Sequence, residues 1–196
     1  MFEYLPIFAT PIFKASLDIP EGALTYWLQK SELSEGVNRS NRGGWQSEPA
    51  DHDPYILPIK SFLTQHLPAF TMGSTWVNIN HKNNENVAHC HPGADLVYTW
   101  YLTDAEGLQL RNPNVFSQWQ ILKEFNHEDG NVYDTINFSF AAGDIIVFPA
   151  SIDHSVKPHQ GDDPRVSVSG NLHWRPPVTA ESEAVRAVSE LAPLNL

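Results

Sequence analysis

Three observations predict a mainly β fold for this chain of 196 residues. From residue 74 onward, short apolar runs rich in Val, Ile, Thr, Phe, Tyr and Trp are separated by turn residues. The stretch STWVNIN (74–80) alternates, with Trp76, Asn78 and Asn80 on one face and Val77 and Ile79 on the other. Helical spacing of apolar residues is confined to the two ends of the chain. Many short strands in one domain imply a double-stranded β-helix, a cupin-like jelly roll, with N-terminal helices and a short C-terminal helix. The expected layout is a single domain over 1–196: a strand and helices packed on the barrel over 1–73, the jelly-roll core over 74–175, and a closing helix over 176–196.

Taken in order, LPIFATPIFKASLD (5–18) mixes apolar residues with proline and reads as an edge strand, because proline removes ladder donors. PEGALTYWLQKSELSEG (20–36) places Leu24, Trp27, Leu28 and Leu33 at helical spacing between Pro20 and Gly36, the signals of a first helix. The turn-rich VNRSNRGGWQSEPADHDP (37–54) reads as a loop. A second helix follows over YILPIKSFLTQHLPAF (55–70), with Pro58 in an early turn. After STWVNIN come strands over DLVYTWYLT, GLQLRNP, NVYDTINFSF, DIIVFPA, HSVKP and RVSVSGNLHW. In DLVYTWYLT, Tyr98, Trp100 and Leu102 share one face and Val97, Thr99 and Tyr101 the other; the sequence leaves open which set lines the interior. Ala184, Val185, Val188 and Leu191 follow a Thr179 or Ser182 cap at helical spacing and mark the last helix.

The bulk properties exclude several function classes. No apolar run approaches the length of a membrane span, and the N-terminus lacks the basic start and cleavage site of a signal peptide, so a cytoplasmic protein is expected. One cysteine makes no intramolecular disulfide and no thiolate-rich zinc site. Any metal must then rely on histidine and carboxylate. The net charge of -11 is spread along the chain without a Lys/Arg cluster, which argues against nucleic acid and weakly for a small-molecule or peptide/protein substrate. A homodimer is left open.

HCHPG (89–93) is the first candidate site. On a strand, His89 and His91 point to the same face and can approach one ion, with Cys90 between them facing away as a small buried hydrophobe. Among nine histidines, two surface residues would look the same, so the pair needs support. It comes from AAGDIIVFPASIDHSVKPHQGDDPRVSVSGN, where a buried strand turns into one carrying His154. Arg165, past a GDDP turn, can occupy a strand adjacent to that of His154, and Ser167 shares its face. A guanidinium and a hydroxyl beside a metal suit a small dicarboxylate, since the guanidinium fork takes a carboxylate bidentately. His81, His127, His159 and His173 have no paired spacing and read as surface residues or as support.

GGWQS (43–47), WVNIN (76–80), NVAHCHPGADLVYTWYL (86–102) and GDIIVFPASIDHSVKPHQGDDPRVSVSGN (143–171) together resemble the 2-oxoglutarate and Fe(II)-dependent oxygenase superfamily. Within it the chain is most similar to a family of bacterial and phage proteins with a His-x-His-Pro motif. The resemblance implies a hydroxylase using Fe(II), 2-oxoglutarate and O2, with iron on His89, His91 and His154. It also implies Arg165 on the distal carboxylate of 2-oxoglutarate, assisted by Ser167. Asn78, Asn80 and Asn86 are implied as further contacts to the co-substrate or the ligands. One departure matters: the superfamily's facial triad has a carboxylate where this chain has His91. Either three histidines suffice, or Asp95 supplies the carboxylate, or activity has been lost. Two competing readings are a cupin-like metal protein or three-His dioxygenase without 2-oxoglutarate, and an inactive oxygenase-fold interaction protein. The placement of Arg165, inside the barrel or exposed, separates them.

Overall fold

Eleven strands in two sheets, with one helix between the first and second strands and another between the third and fourth, make up the described architecture in the computed structural model, which describes residues 10–114 and 134–175. The expected C-terminal helix and His127 lie outside the described residues. The larger sheet has the order β1 (Phe13–Ser16), β9 (Asp144–Pro149), β6 (Leu96–Tyr101), β11 (Arg165–Trp174), β4 (Phe70–Asn80), β3 (Trp45–Gln46). The smaller has β2 (Asn41–Arg42), β5 (Glu85–His89), β10 (His154–Val156), β7 (Ala105–Arg111), β8 (Thr135–Phe140). Every pairing is antiparallel. Sequence neighbours such as β4 and β5 belong to opposite sheets, the crossing pattern of a jelly roll.

The proline-marked first strand is at the sheet edge, as expected, and is limited to Phe13–Ser16 among the described residues. The first helix, α1 (Ala23–Glu32), starts after Gly22 in the left-handed region at φ 80°. It buries Trp27 completely, whereas Leu33 caps the end and is 86% exposed, so it is not part of the apolar stripe. A 3-10 turn (Pro54–Ile56) leads into α2 (Leu57–His66), with Pro58 in its first turn where no helical N–H is needed. The loop expected over 37–54 also contains the two-residue ladders β2 and β3.

Alternation decides what each face of the larger sheet does. Val77 and Ile79 of β4, Tyr98 and Trp100 of β6, and Val166 and Val168 of β11 pack with Trp27, Ile56, Ile59 and Leu63 of the helical layer. Burying each large apolar side chain contributes about 1.5–3 kcal/mol, and this layer turns the other face of the sheet toward the smaller sheet. Val97, Tyr101, Leu108, Leu110, Phe140, Ile146, Phe148 and Ile152 fill one part of the space between the sheets. The rest is lined by polar side chains and forms a cavity. The set left open on β6 is resolved: Val97, Thr99 and Tyr101 line that cavity, and Tyr98 and Trp100 face the helices.

Two extents differ from the sequence reading. β4 begins at Phe70, within the stretch assigned to the second helix, because α2 stops at His66 before Pro68. β5 is a strand that apolar patterning did not mark, since its residues ENVAH hold little apolar content and its neighbours supply the pairing.

Candidate metal centre and co-substrate cavity

β5 and β10 run side by side in the smaller sheet, and their register sets His89 opposite His154. β5 ends at His89, so His91 lies beyond the strand, where its backbone N–H donates to the Ala150 carbonyl at 2.9 Å. The ring centroids of His89 and His154 are 4.3 Å apart, and His91 lies 5.1 Å from each. The candidate ligand atoms of the three residues all fall within 4.8 Å of one another.

Hydrogen bonds fix which nitrogen faces the centre. His89 Nδ1 donates to the Val87 carbonyl at 2.7 Å, His154 Nδ1 to the Ile152 carbonyl at 2.9 Å, and His91 Nδ1 to Asn171 Oδ1 at 2.8 Å. With each Nδ1 carrying the proton, each Nε2 presents a lone pair. His91 Nε2 is buried without a partner. Burial, reinforced by the neighbouring imidazoles, lowers His91 from the ordinary 6.5 to about 4 and His154 to about 3. At neutral pH both rings are therefore uncharged bases. Trp76 stacks on His91 at 5.6 Å and Phe148 meets His154 edge-on at 4.9 Å, which limits ring rotation. Three oriented imidazoles fit a divalent first-row metal, for which imidazole is a suitable ligand.

Arg165 enters the same cavity from the facing sheet. It opens β11, opposite Asn80 of β4, and is 4% exposed. The sequence reading set it on a strand adjacent to that of His154; instead β10 pairs with β5 and β7, β11 pairs with β4 and β6, and the two residues meet across the barrel. Its Nη1 donates to the Glu106 carbonyl at 2.9 Å and the Lys157 carbonyl at 3.4 Å, while Nη2 is buried with no partner among the described residues. Desolvation pulls the guanidinium below its ordinary range. Among the described residues no carboxylate lines the cavity. A buried cation without a counter-ion is costly by itself and suits a site for an anion.

Polar rows complete the cavity. Asn78 faces Ser167 across β4–β11, and Ser167 faces Tyr101 across β11–β6. Asn78 Oδ1 is buried without a partner. Asn80 Nδ2 donates to Asn86 Oδ1 at 3.2 Å, and Asn86 Nδ2 donates to Ser40 Oγ at 3.2 Å. The three asparagines and Ser167 thus sit in the cavity with Arg165, as does Tyr101, which sequence reasoning left unassigned. Asn171 was missed too; its one signal was its place two residues beyond Ser169 on the inward face of β11.

Asp95 does not join the histidines. A turn with Gly93 at φ 87° separates it from His91, and its carboxylate accepts from the Trp174 backbone N–H at 2.7 Å. Cys90 lies outside the cluster as expected, yet it is exposed rather than buried, because no strand partner covers the chain after His89. His81 and His159 lie outside the cluster: the His81 backbone N–H donates to the Asn84 side chain, the His159 ring bonds the Asp163 carbonyl, and the His159 backbone pairs with Asn83 and Asn84.

A wider pocket of about 490 Å³ opens on the other side of His89 and His91. Its walls are the 37–49 loop and Ser74–Trp76 of β4, with Val87 beside the histidines. Asn41 braces that loop, donating to the Val37 and Gly44 carbonyls and accepting from the Arg39 N–H. Among the described residues no helix is long and apolar enough to cross a membrane.

Comparison with known proteins agrees with this architecture. A search of curated proteins finds no match. HygX of Streptomyces hygroscopicus, solved with nickel, 2-oxoglutarate and hygromycin B bound, superposes with a TM-score of 0.59 at 8% identity, over 87% of this chain and 85% of that one. The alpha-ketoglutarate-dependent epimerase SnoN of nogalamycin biosynthesis gives 0.58 at 12% identity, over 88% and 84%. A Pseudomonas putida prolyl-4-hydroxylase gives 0.53 at 14% identity, over 85% and 94%. At these identities the superpositions establish the fold. Residues 74–171, from β4 to the Asn171 that orients His91, match the family described as Putative 2OG-Fe(II) oxygenase, and the chain belongs to that family.

Proposed function

We propose that the protein is an Fe(II)- and 2-oxoglutarate-dependent dioxygenase that holds iron on Nε2 of His89, His91 and His154, without a protein carboxylate. Arg165 takes the distal carboxylate of 2-oxoglutarate, with Ser167 beside it and Asn78, Asn80 and Asn86 lining the approach. When bound, iron and 2-oxoglutarate supply O2 activation, with 2-oxoglutarate leaving as succinate and CO2 and hydroxylation of a substrate carbon as the default outcome.

The observation that carries this reading is the buried Arg165 guanidinium, which shares a cavity with three oriented imidazoles and has no counter-ion among the described residues. A cupin-like metal protein has no need of a desolvated cation there, so this placement favours the 2-oxoglutarate reading over its competitors. Charge explains why three histidines suffice. A divalent ion and Arg165 together bring three positive charges into a cavity with no carboxylate among the described residues, and a dianionic co-substrate neutralises two of them.

The residues of the chain have separable tasks. Carbonyls of Val87 and Ile152 and the Asn171 amide hold the imidazole tautomers. The Glu106 and Lys157 carbonyls hold Arg165 in place. Trp76, Val97 and Leu108 supply part of the cavity's apolar wall. The primary substrate, a small molecule or a peptide segment, enters through the wider pocket beside His89 and His91. A reducing cytoplasm suits both Fe(II) and the single cysteine.

The test is conversion of 2-oxoglutarate to succinate by the Fe(II)-loaded protein in air. Slow turnover without a primary substrate, absent when iron or O2 is withheld, is the expected result. Iron-loaded protein that binds no 2-oxoglutarate and forms no succinate would remove the enzyme reading.

A further inference from the structure

Gln46 is the one buried polar side chain lining the wider pocket that has no hydrogen-bond partner among the described residues. Ser47 Oγ donates to the Glu48 carbonyl and accepts from the Val77 N–H, and Thr75 Oγ1 pairs with the Tyr98 hydroxyl. Gln46 is 7% exposed. Its orientation follows from register. Gln46 lies opposite Asn78 in the β3–β4 ladder, and cross-strand partners share a face, here the interior one that also carries Trp76 and Asn80. Trp45, on the other face, packs toward the helices. The carboxamide has no partner among the described residues, and neither of its polar atoms is fully enclosed, so what is exposed of it is open to the pocket and to a ligand there.

We propose that the pocket beside His89 and His91 takes a primary amide group of the primary substrate, and that Gln46 reads it. A carboxamide presents a donor and an acceptor side by side, so its best partner presents the same pair reversed, as a primary carboxamide does; in a trans secondary amide the N–H and C=O point to opposite sides and only one of them is met. The surroundings fit such a group on an apolar body, since Val37, Pro49 and Val87 line the same pocket. An ester or ketone of the same shape satisfies only the acceptor half of the pairing and leaves the Gln46 oxygen unmatched. Loss of one such bond is how a polar site discriminates between near-isosteres. That this amide belongs to the molecule being oxidised rests on the iron and 2-oxoglutarate reading; amide recognition by Gln46 does not.

The probes are isobutyramide as the primary carboxamide, N-methylisobutyramide as a peptide-like secondary amide, and methyl isobutyrate as the ester of the secondary amide's shape. Ligand-observed NMR titrations with the full chain measure their affinities, with and without Mn(II). Isobutyramide is expected to bind about tenfold more tightly than either N-methylisobutyramide or the ester, the scale of one hydrogen bond. That preference should vanish in Gln46→Leu. A secondary amide that binds as tightly as isobutyramide overturns the two-point pairing. Equal binding of amides and ester by the wild type, or binding of none, overturns the proposal without any variant. A preference that survives in Gln46→Leu overturns it as well. Mn(II) should broaden the bound amide signals through proximity to the histidines. Amide preference without that broadening would leave the Gln46 assignment standing and count against the metal site.

Discussion

The Asn171 side chain accepts the Nδ1–H of His91 at 2.8 Å, joining residues eighty positions apart and directing a partnerless Nε2 into the three-histidine group. This bond does for His91 what the Val87 and Ile152 carbonyls do for the other two rings. Asn171→Leu removes the acceptor and frees the ring to take the other tautomer. Metal affinity is expected to fall about 10- to 100-fold, the usual loss for a partner that orients a ligand. Asn171→Asp keeps an acceptor and should retain most of the affinity. Calorimetric titration with Ni(II) or Mn(II) checks both variants.

Arg165 makes a second prediction, one in which stability and binding move in opposite senses. Without an anion, its guanidinium is a buried charge satisfied only by two backbone carbonyls. Arg165→Met should melt no lower than the wild type when both are free of ligand. The wild type with metal should gain stability from 2-oxoglutarate and the variant should gain almost none, a binding loss of about 2–5 kcal/mol. Thermal melts with and without 2-oxoglutarate measure the difference.

Acid sensitivity follows from the two depressed histidines. His91 at about 4 and His154 at about 3 stay neutral in the folded chain, while in the unfolded chain each takes up a proton near 6.5. Between those limits the unfolded state binds more protons, so stability falls as pH drops. The metal-free protein should lose stability from about pH 6.5 down to about pH 4, and His154→Gln should show a shallower decline. Urea unfolding across that range, in buffers holding a chelator, provides the measurement.

Packing under the site supplies a fourth prediction. A Cβ on Gly170 would lie 2.5 Å from the Tyr98 hydroxyl, and Tyr98 is fully buried and bonded to Thr75 Oγ1. The ring has no room to retreat. Gly170→Ala is expected to destabilise the fold by about 1–3 kcal/mol, the range for overpacking a tight core, as read by chemical denaturation.

Much of this was legible in the sequence where one face of a strand is apolar and the other has a task. Val77 and Ile79 against Trp76, Asn78 and Asn80, and Val166 and Val168 against Arg165 and Ser167, announce both strand and orientation. The same rule gave no answer on β6, because helices cover one face and the cavity lining covers the other, making both apolar. Period-two reasoning also stopped short at HCHPG. The strand ends at His89, so Cys90 is exposed and His91 is held by Ala150 and Asn171 rather than by a ladder. Facing His154 and Arg165 across the barrel, rather than along one sheet, needed the crossover topology, which local spacing does not encode. The Gln46–Asn78 pairing was hidden for a related reason: a two-residue ladder inside a turn-rich loop has no period to read.

The central claim is that three imidazoles and a buried guanidinium suffice to hold Fe(II) and 2-oxoglutarate together. Anaerobic Fe(II) loading followed by 2-oxoglutarate titration, monitored by visible absorption, tests it most directly. A charge-transfer band should grow in the wild type, and in Arg165→Ala it should require far higher 2-oxoglutarate concentrations. Iron-loaded wild type without a band, or identical titrations for the two proteins, would contradict the account.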